Sequence, residues 1–229
     1  MISLGLDPSL TNYGWCVLND MAKGRSRRIA SGSHSTTPDM IPVVRFMQFR
    51  SMVDDLISKY DPDVIGIESP AYDGPFQVIH HGLLLFSLES IFKHRKDVVF
   101  YDPSTLKSLI RGNKNVKGPI HKIDVQKFVS LDMLSPDLLP HDEADAYALS
   151  FFATRIFKLL DGKIQREDLS ESEKRIFLDK TKKVKTLKGI IQKSTGHVFR
   201  ENSRIFKFSK VSVGDIKLPD KSEMRLKGI

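Results

Sequence analysis

Two short apolar stretches in this chain each run into an acid. Residues 2–6 (ISLGL) stop at Asp7, and residues 63–67 (DVIGI) deliver Glu68. Apolar runs this short, bounded by turn residues, read as buried strands. A further run at 13–18 (YGWCVL) follows the first across the turn-rich link DPSLTN, so the chain opens as a β-hairpin with Asp7 closing its first strand. Residues 27–33 supply a third strand. Side chains at strand ends are well placed for chemistry, because the strand fixes them while their tips stay accessible.

The rest of the first 160 residues alternates helices with strands. Val44, Met47, Val53, Leu56 and Ile57 recur at helical spacing over 43–60, and Asp61-Pro62 ends that helix. After Glu68 come the loop SPAYDGP and a helix over 76–93 with the very apolar centre GLLLFSLESIF. A strand at 97–101 (DVVFY) precedes Asp102-Pro103-Ser104, which opens a helix through Leu106, Leu109 and Ile110. Residues 111–122 (RGNKNVKGPIHK) read as a basic loop, 123–132 as a helix, and PHDEADA at 140 as the start of a long apolar helix to 160. This is an α/β plan with an antiparallel hairpin at its start.

Charge divides the chain differently. The formal net charge is +8, and residues 161–229 hold 18 Lys and Arg against 10 Asp and Glu, so the whole excess lies there. A basic appendage on a neutral body points to a polyanion partner, with a solvated charged surface as the plainer alternative. We therefore read two parts, 1–160 and a basic extension at 161–229, the latter built of a helix over about 170–193 and a β-hairpin within 198–218. Its expected role is DNA or partner binding. One cysteine, Cys16, excludes an intramolecular disulfide and a cysteine-rich zinc site. With no apolar run long enough for a membrane span and no basic leader in MISLGLDPSL, a cytoplasmic protein is expected.

Asp142 and Asp145 stand three apart in HDEADA, on one face of a helix start. With Asp7 and Glu68 they would form a four-acid cluster, costly unless a cation offsets the repulsion. Hard oxygen donors suit magnesium, with manganese as a substitute. A pair of such ions can hydrolyse a phosphodiester. Taken singly, each acid is also an ordinary turn or helix-start residue. The Asp7 hairpin is similar, too, to the phosphate-gripping hairpin of actin-like and sugar kinases, although no second glycine-rich hairpin follows.

The ensemble narrows the choice. LGLDPSLTNYGWCVL resembles the first hairpin of RuvC-like Holliday junction resolvases, and VIGIESP their second acidic strand. YDPSTLKSLIRG with HKIDVQKFV resembles their basic helix–loop–helix region, and HDEADAYALSFF their closing helix. The resemblance spans roughly residues 1–158. It implies an RNase H-like fold, a five-stranded mixed sheet flanked by helices, with Asp7, Glu68, Asp142 and Asp145 as ligands of two magnesium ions. It implies phosphate or transition-state contacts from Lys107 and Lys122, and backbone clamps from Arg111, Lys114 and Lys117. Tyr72 or Phe76 would stack on unpaired bases, the aromatic role this family places soon after the second acid. His141 is a candidate helper and Glu143 is expected in solvent. Ser9 replaces the family's usual glycine after Asp-Pro, which removes no ligand.

The implied activity is paired, metal-dependent nicking of four-way DNA junctions by a homodimer, with GLLLFSLESIF either as the dimer surface or as plain core. Two alternatives stand beside it: a broader debranching nuclease acting on flaps, forks and three-way junctions, and a catalytically silent junction-binding protein. The long basic tail looks more like that of a phage or viral variant than of a bacterial member.

Overall fold

Alternation along β1 (Ile2–Asp7) and β4 (Val64–Glu68) decides which face of the sheet carries the acids. In β1, Leu4 and Leu6 point to one side, and Ser3, Gly5 and Asp7 share the other. In β4, Ile65 and Ile67 take the first side, and Val64, Gly66 and Glu68 the second. The two strands are parallel neighbours in the register Leu6↔Ile67, so Asp7 and Glu68 leave the sheet side by side at their carboxyl ends.

The computed structural model describes residues 1–21, 26–69, 77–114, 119–179, 181–186, 189–194, 196–200 and 204–207, and at 77, 113, 114 and from 179 onward the backbone alone. β2 (Asn12–Asp20) and β3 (Ser26–Ser35) complete the opening antiparallel meander, and β5 (Asp97–Tyr101) runs parallel to β4. The expected five-stranded mixed sheet is β3-β2-β1-β4-β5. Two further strands, β8 (Gly196–Arg200) and β9 (Arg204–Lys207), extend it antiparallel from β5.

Each face buries its own core. On one lie α1 (Pro42–Tyr60) and α2 (Gln77–Lys93), which pack Phe49, Val53, Ile57, Leu83 and Ile91 on Leu4, Leu6, Tyr13 and Ile65. On the other lie α3 (Pro103–Lys114), α4 (Lys122–Met133) and α5 (His141–Leu160). Helix α5 is buried nearly all round, as expected of a helix wedged between a sheet and two other helices. Its Phe151 and Phe152 meet Phe128 of α4, and burial of each such ring contributes roughly 1.5–3 kcal/mol. The hydroxyls of Ser3, Ser150 and Thr154 satisfy one another beneath it at 2.7 and 2.8 Å.

Beyond α5 the sequence reading needs correction. The segment read as helical is helix only over α6 (Glu171–Glu173), followed by a π-helical turn at Lys174–Asp179. A separate two-stranded hairpin then forms from β6 (Thr181–Thr186) and β7 (Gly189–Ser194). Lys, Ser and Glu content over 170–193 favours helix, but Val184, Ile190, Ile191 and the three threonine or serine positions Thr181, Thr186 and Ser194 favour strand. Phe206 lies in β9, whereas Phe208, Val211 and Val213 fall outside the described residues. Among the described residues no helix is long and apolar enough to cross a membrane.

Candidate active site

Three glycines let α5 lie directly on the sheet. A Cβ at Gly5 would collide with the Ala146 carbonyl, one at Gly66 with the Leu149 carbonyl, and one at Gly14 with the backbone and Cβ of Asp142. Backbone therefore meets backbone, and the first turn of α5 is brought down beside the ends of β1 and β4. That turn carries Asp142 and Asp145, so the four acids expected from the sequence are gathered at one end of one face.

Their electrostatics are those of a crowded, part-buried acidic cluster. Asp7 and Glu68 hydrogen-bond to each other. Burial first, then the charges of Glu68, Asp145 and Asp142, holds the Asp7 carboxyl well above the usual carboxylate range. Burial pushes Glu68 up to about 7, opposed by its bond to Asp7 and the charge of Lys107. Burial also raises Asp145 to about 6, against the pull of Lys122, Lys107 and His141. Asp142 accepts a hydrogen bond from the side-chain amide of Asn12, and Ser35 Oγ donates to Asn12 Oδ1 at 2.8 Å. Among the described residues no three acidic, imidazole or thiol groups are already drawn into a finished metal cage.

Two lysines stand over this cluster. Lys107 on α3 and Lys122 at the start of α4 line a cleft of about 300 Å³ together with Glu68, Asp145, Pro103 and His121. Both are exposed, whereas Glu68 and Asp145 in the same cleft are part-buried, and Lys107 acts electrostatically on both acids and Lys122 on Asp145. Arg111 is also exposed on α3 but does not line the cleft. The side chain of Lys114, and Lys117, Tyr72 and Phe76 entirely, lie outside the described residues. His141 is exposed at the helix start, and its charge acts on Asp145. Glu143 departs from expectation: it turns off the Asp142–Asp145 face but accepts a hydrogen bond from Ser31 of β3 instead of standing in solvent.

Asn12, Ser35 and the three glycines are the parts of the site that the sequence reading missed. One signal for them was present. Gly5-Leu6-Asp7 and Gly66-Ile67-Glu68 repeat the same pattern, a glycine two residues before the acid and therefore on the same face. Nothing local in the sequence marks Asn12 as a partner of a residue 130 positions away.

Comparison with known proteins places the fold and the family. The family profile described as crossover junction endodeoxyribonuclease RuvC matches residues 3–152. A crossover junction endodeoxyribonuclease RuvC from Orientia tsutsugamushi (strain Boryong) is 28% identical over 158 residues, covering 67% of this chain and 95% of the relative. That of Corynebacterium diphtheriae is 30% identical over 151 residues, covering 64% and 90%. Among solved structures, Thermus thermophilus RuvC gives a TM-score of 0.60 at 22% identity, covering 71% of this chain and 97% of that one. The yeast mitochondrial Holliday junction resolvase Ydc2 gives 0.52 at 14% identity, covering 67% and 77%. At these identities the structural likeness shows a common fold, the RNase H-like one.

Proposed function

Because this chain belongs to the RuvC family of crossover junction endodeoxyribonucleases, we propose that it resolves four-way DNA junctions by magnesium-dependent paired nicking as a homodimer. The observation that carries this reading is the convergence of Asp7 and Glu68 with Asp142 and Asp145 beneath Lys107 and Lys122. The donor set fits a hard divalent cation, since it consists of carboxylates whose burial and mutual repulsion a cation would relieve. Asp7, Glu68, Asp142 and Asp145 would hold it, with manganese as a substitute. Two such ions would supply Lewis acidity for attack of water on the phosphodiester and for departure of the 3′ oxygen.

The chain's own groups do the rest. Lys107 and Lys122 offset the charge of the scissile phosphate and hold it over the acids. Arg111, Lys114 and Lys117 contact the flanking backbone without reading sequence, and Tyr72 or Phe76 stacks on an unpaired base. Helix α2 supports the dimer. Leu83 and Ile91 are core, but Val78, Leu85 and Phe92 are 84, 65 and 43% exposed and lie seven residues apart along one side of the helix. In a twofold dimer each protomer would bring one acidic cluster to one of two opposing strands.

The test is a nicking assay on a synthetic four-way junction, a flap, a three-way junction and plain duplex, with magnesium and with chelator. Metal-dependent paired cuts confined to the four-way junction are expected, leaving 5′-phosphates. Cutting across all branched substrates would replace this reading with a debranching nuclease, and binding without cutting would replace it with a silent junction-binding protein. Asp7→Asn is expected to abolish cutting while junction binding in chelator persists, because phosphate contacts and metal chemistry use different groups.

A further inference from the structure

The β6–β7 ribbon lies beyond residue 152, where the family match ends, and pairs with no other strand among the described residues. Residues 180–194 contain six lysines and no acidic residue. The register sets Lys182 opposite Lys193, with Lys183 opposite Gln192 and Lys185 opposite Ile190. Like charges directly across a strand pair are destabilising, and a lone two-stranded hairpin is marginal in water. A polyanion laid along such a ribbon removes both penalties, by neutralising the lysines and by giving the hairpin something to bind.

Both ends of the ribbon are rooted close to the catalytic machinery. Glu68, Tyr101 and Gly196 are register partners in a row across β4, β5 and β8, so the ribbon re-enters the sheet two strands from Glu68, about 10 Å away. At its other end, the preceding turn buries Phe177 in the core that α3, α4 and α5 share. There Ser172 Oγ donates to the Leu109 carbonyl of α3 at 3.1 Å, on the helix that carries Lys107 and Arg111. Each six-residue strand reaches roughly 20 Å.

We propose that the β6–β7 ribbon is a clamp for the phosphodiester backbone of the DNA arm leading into the cleft, built by the set of its lysines at the catalytic end of the sheet. The proposal rests on the reading that this chain acts on DNA. It assigns the ribbon to backbone charge, so the contact is salt-dependent and indifferent to base sequence.

The test uses the full chain, with Lys182, Lys183, Lys185 and Lys193 all replaced by Gln. Thr181 and Ser194 are register partners, so a second variant can join them directly through Asn-Gly in place of 182–193 and leave β8 undisturbed. Binding to a four-way junction in chelator is measured between about 50 and 250 mM potassium chloride. The expected result for both variants is a salt slope shallower than wild type by about 2 to 4, according to whether one or both faces of the ribbon meet phosphates, and affinity at least tenfold weaker at the low-salt end. Wild-type slopes in both variants, with normal junction binding, would overturn the ribbon clamp and leave the nuclease reading intact. A wild-type chain that binds no junction DNA at any salt would overturn both. Acidic phospholipid vesicles are the control: lysine-dependent binding to them, with an unchanged DNA slope, would assign the ribbon to a membrane surface and reject the clamp.

Discussion

Asn12 and Asp142 are hydrogen-bonded across 130 residues of sequence, tying the turn after β1 to the first turn of α5. Ser35 fixes the amide from the far side by donating to Asn12 Oδ1, so the Asn12 nitrogen is left to face the acid. Asn12 thus positions a proposed metal ligand without being one.

Replacing Asn12 with Ala is expected to cut the cleavage rate by about 10- to 100-fold and to raise the magnesium concentration needed for half-maximal rate. Junction binding in chelator should stay at the wild-type level. A variant with a lower rate but an unmoved magnesium midpoint would show that Asn12 acts through the hairpin's shape and not through Asp142.

Gly5→Ala should destabilise the fold by about 1–3 kcal/mol or more, because the new methyl meets a backbone carbonyl of α5 that has no rotamer to change. Thermal unfolding measures this. Gly14→Ala should be the more damaging to activity, since its methyl meets Asp142 itself. Equal activity in the two variants at matched temperature below their melting points would count against a direct effect on the acid.

How stability varies with pH should reveal the acidic cluster. Glu68 and Asp145 are raised to about 7 and about 6 from ordinary values of 4.5 and 3.8. A carboxyl raised on folding favours the protonated folded state. Its contribution is full below about pH 4 and is lost as pH climbs through about 6 to 7. Protein in chelator should therefore lose thermal stability between about pH 5 and pH 8 on account of these groups, and Asp7→Asn should reduce that loss. Magnesium should raise the melting temperature more at about pH 8 than at about pH 5, since it needs the ionised acids. An equal rise at both would detach the ion from these carboxylates.

Leu85→Glu tests the dimer. A charge in the middle of the exposed stripe of α2 should leave folding unchanged and yield a monomer by sedimentation. Single nicks should then replace paired ones on a four-way junction. A variant that remains dimeric would move the interface away from α2.

Much of this was legible in the sequence because it depends on local pattern. Short apolar runs ending in acids gave β1 and β4 with Asp7 and Glu68 at their ends. The three-residue spacing of Asp142 and Asp145 gave the helical pair. What escaped was set by tertiary approach. Asn12 has no local signature, because its partner arrives only when α5 docks. Glu143 was expected in solvent because the nearness of β3 to α5 is invisible along the chain. The ribbon at 181–194 is hard to read because its lysine and serine content competes with a weak strand pattern. The apolar centre of α2 left core and surface unresolved, and the fold buries Leu83 and Ile91 while leaving Leu85 and Phe92 exposed.

The glycine seat beneath α5 has a consequence for tolerance to change. Where a helix rests on a sheet through side chains, every substitution at the contact alters their separation by a methyl group or more. Here the gap between the acids of the strands and those of the helix is a backbone dimension, fixed where Gly5, Gly14 and Gly66 meet main-chain atoms of α5. The aromatic and aliphatic packing farther along α5 can therefore drift over generations without retuning the spacing of the four carboxylates, while these three positions have almost no latitude.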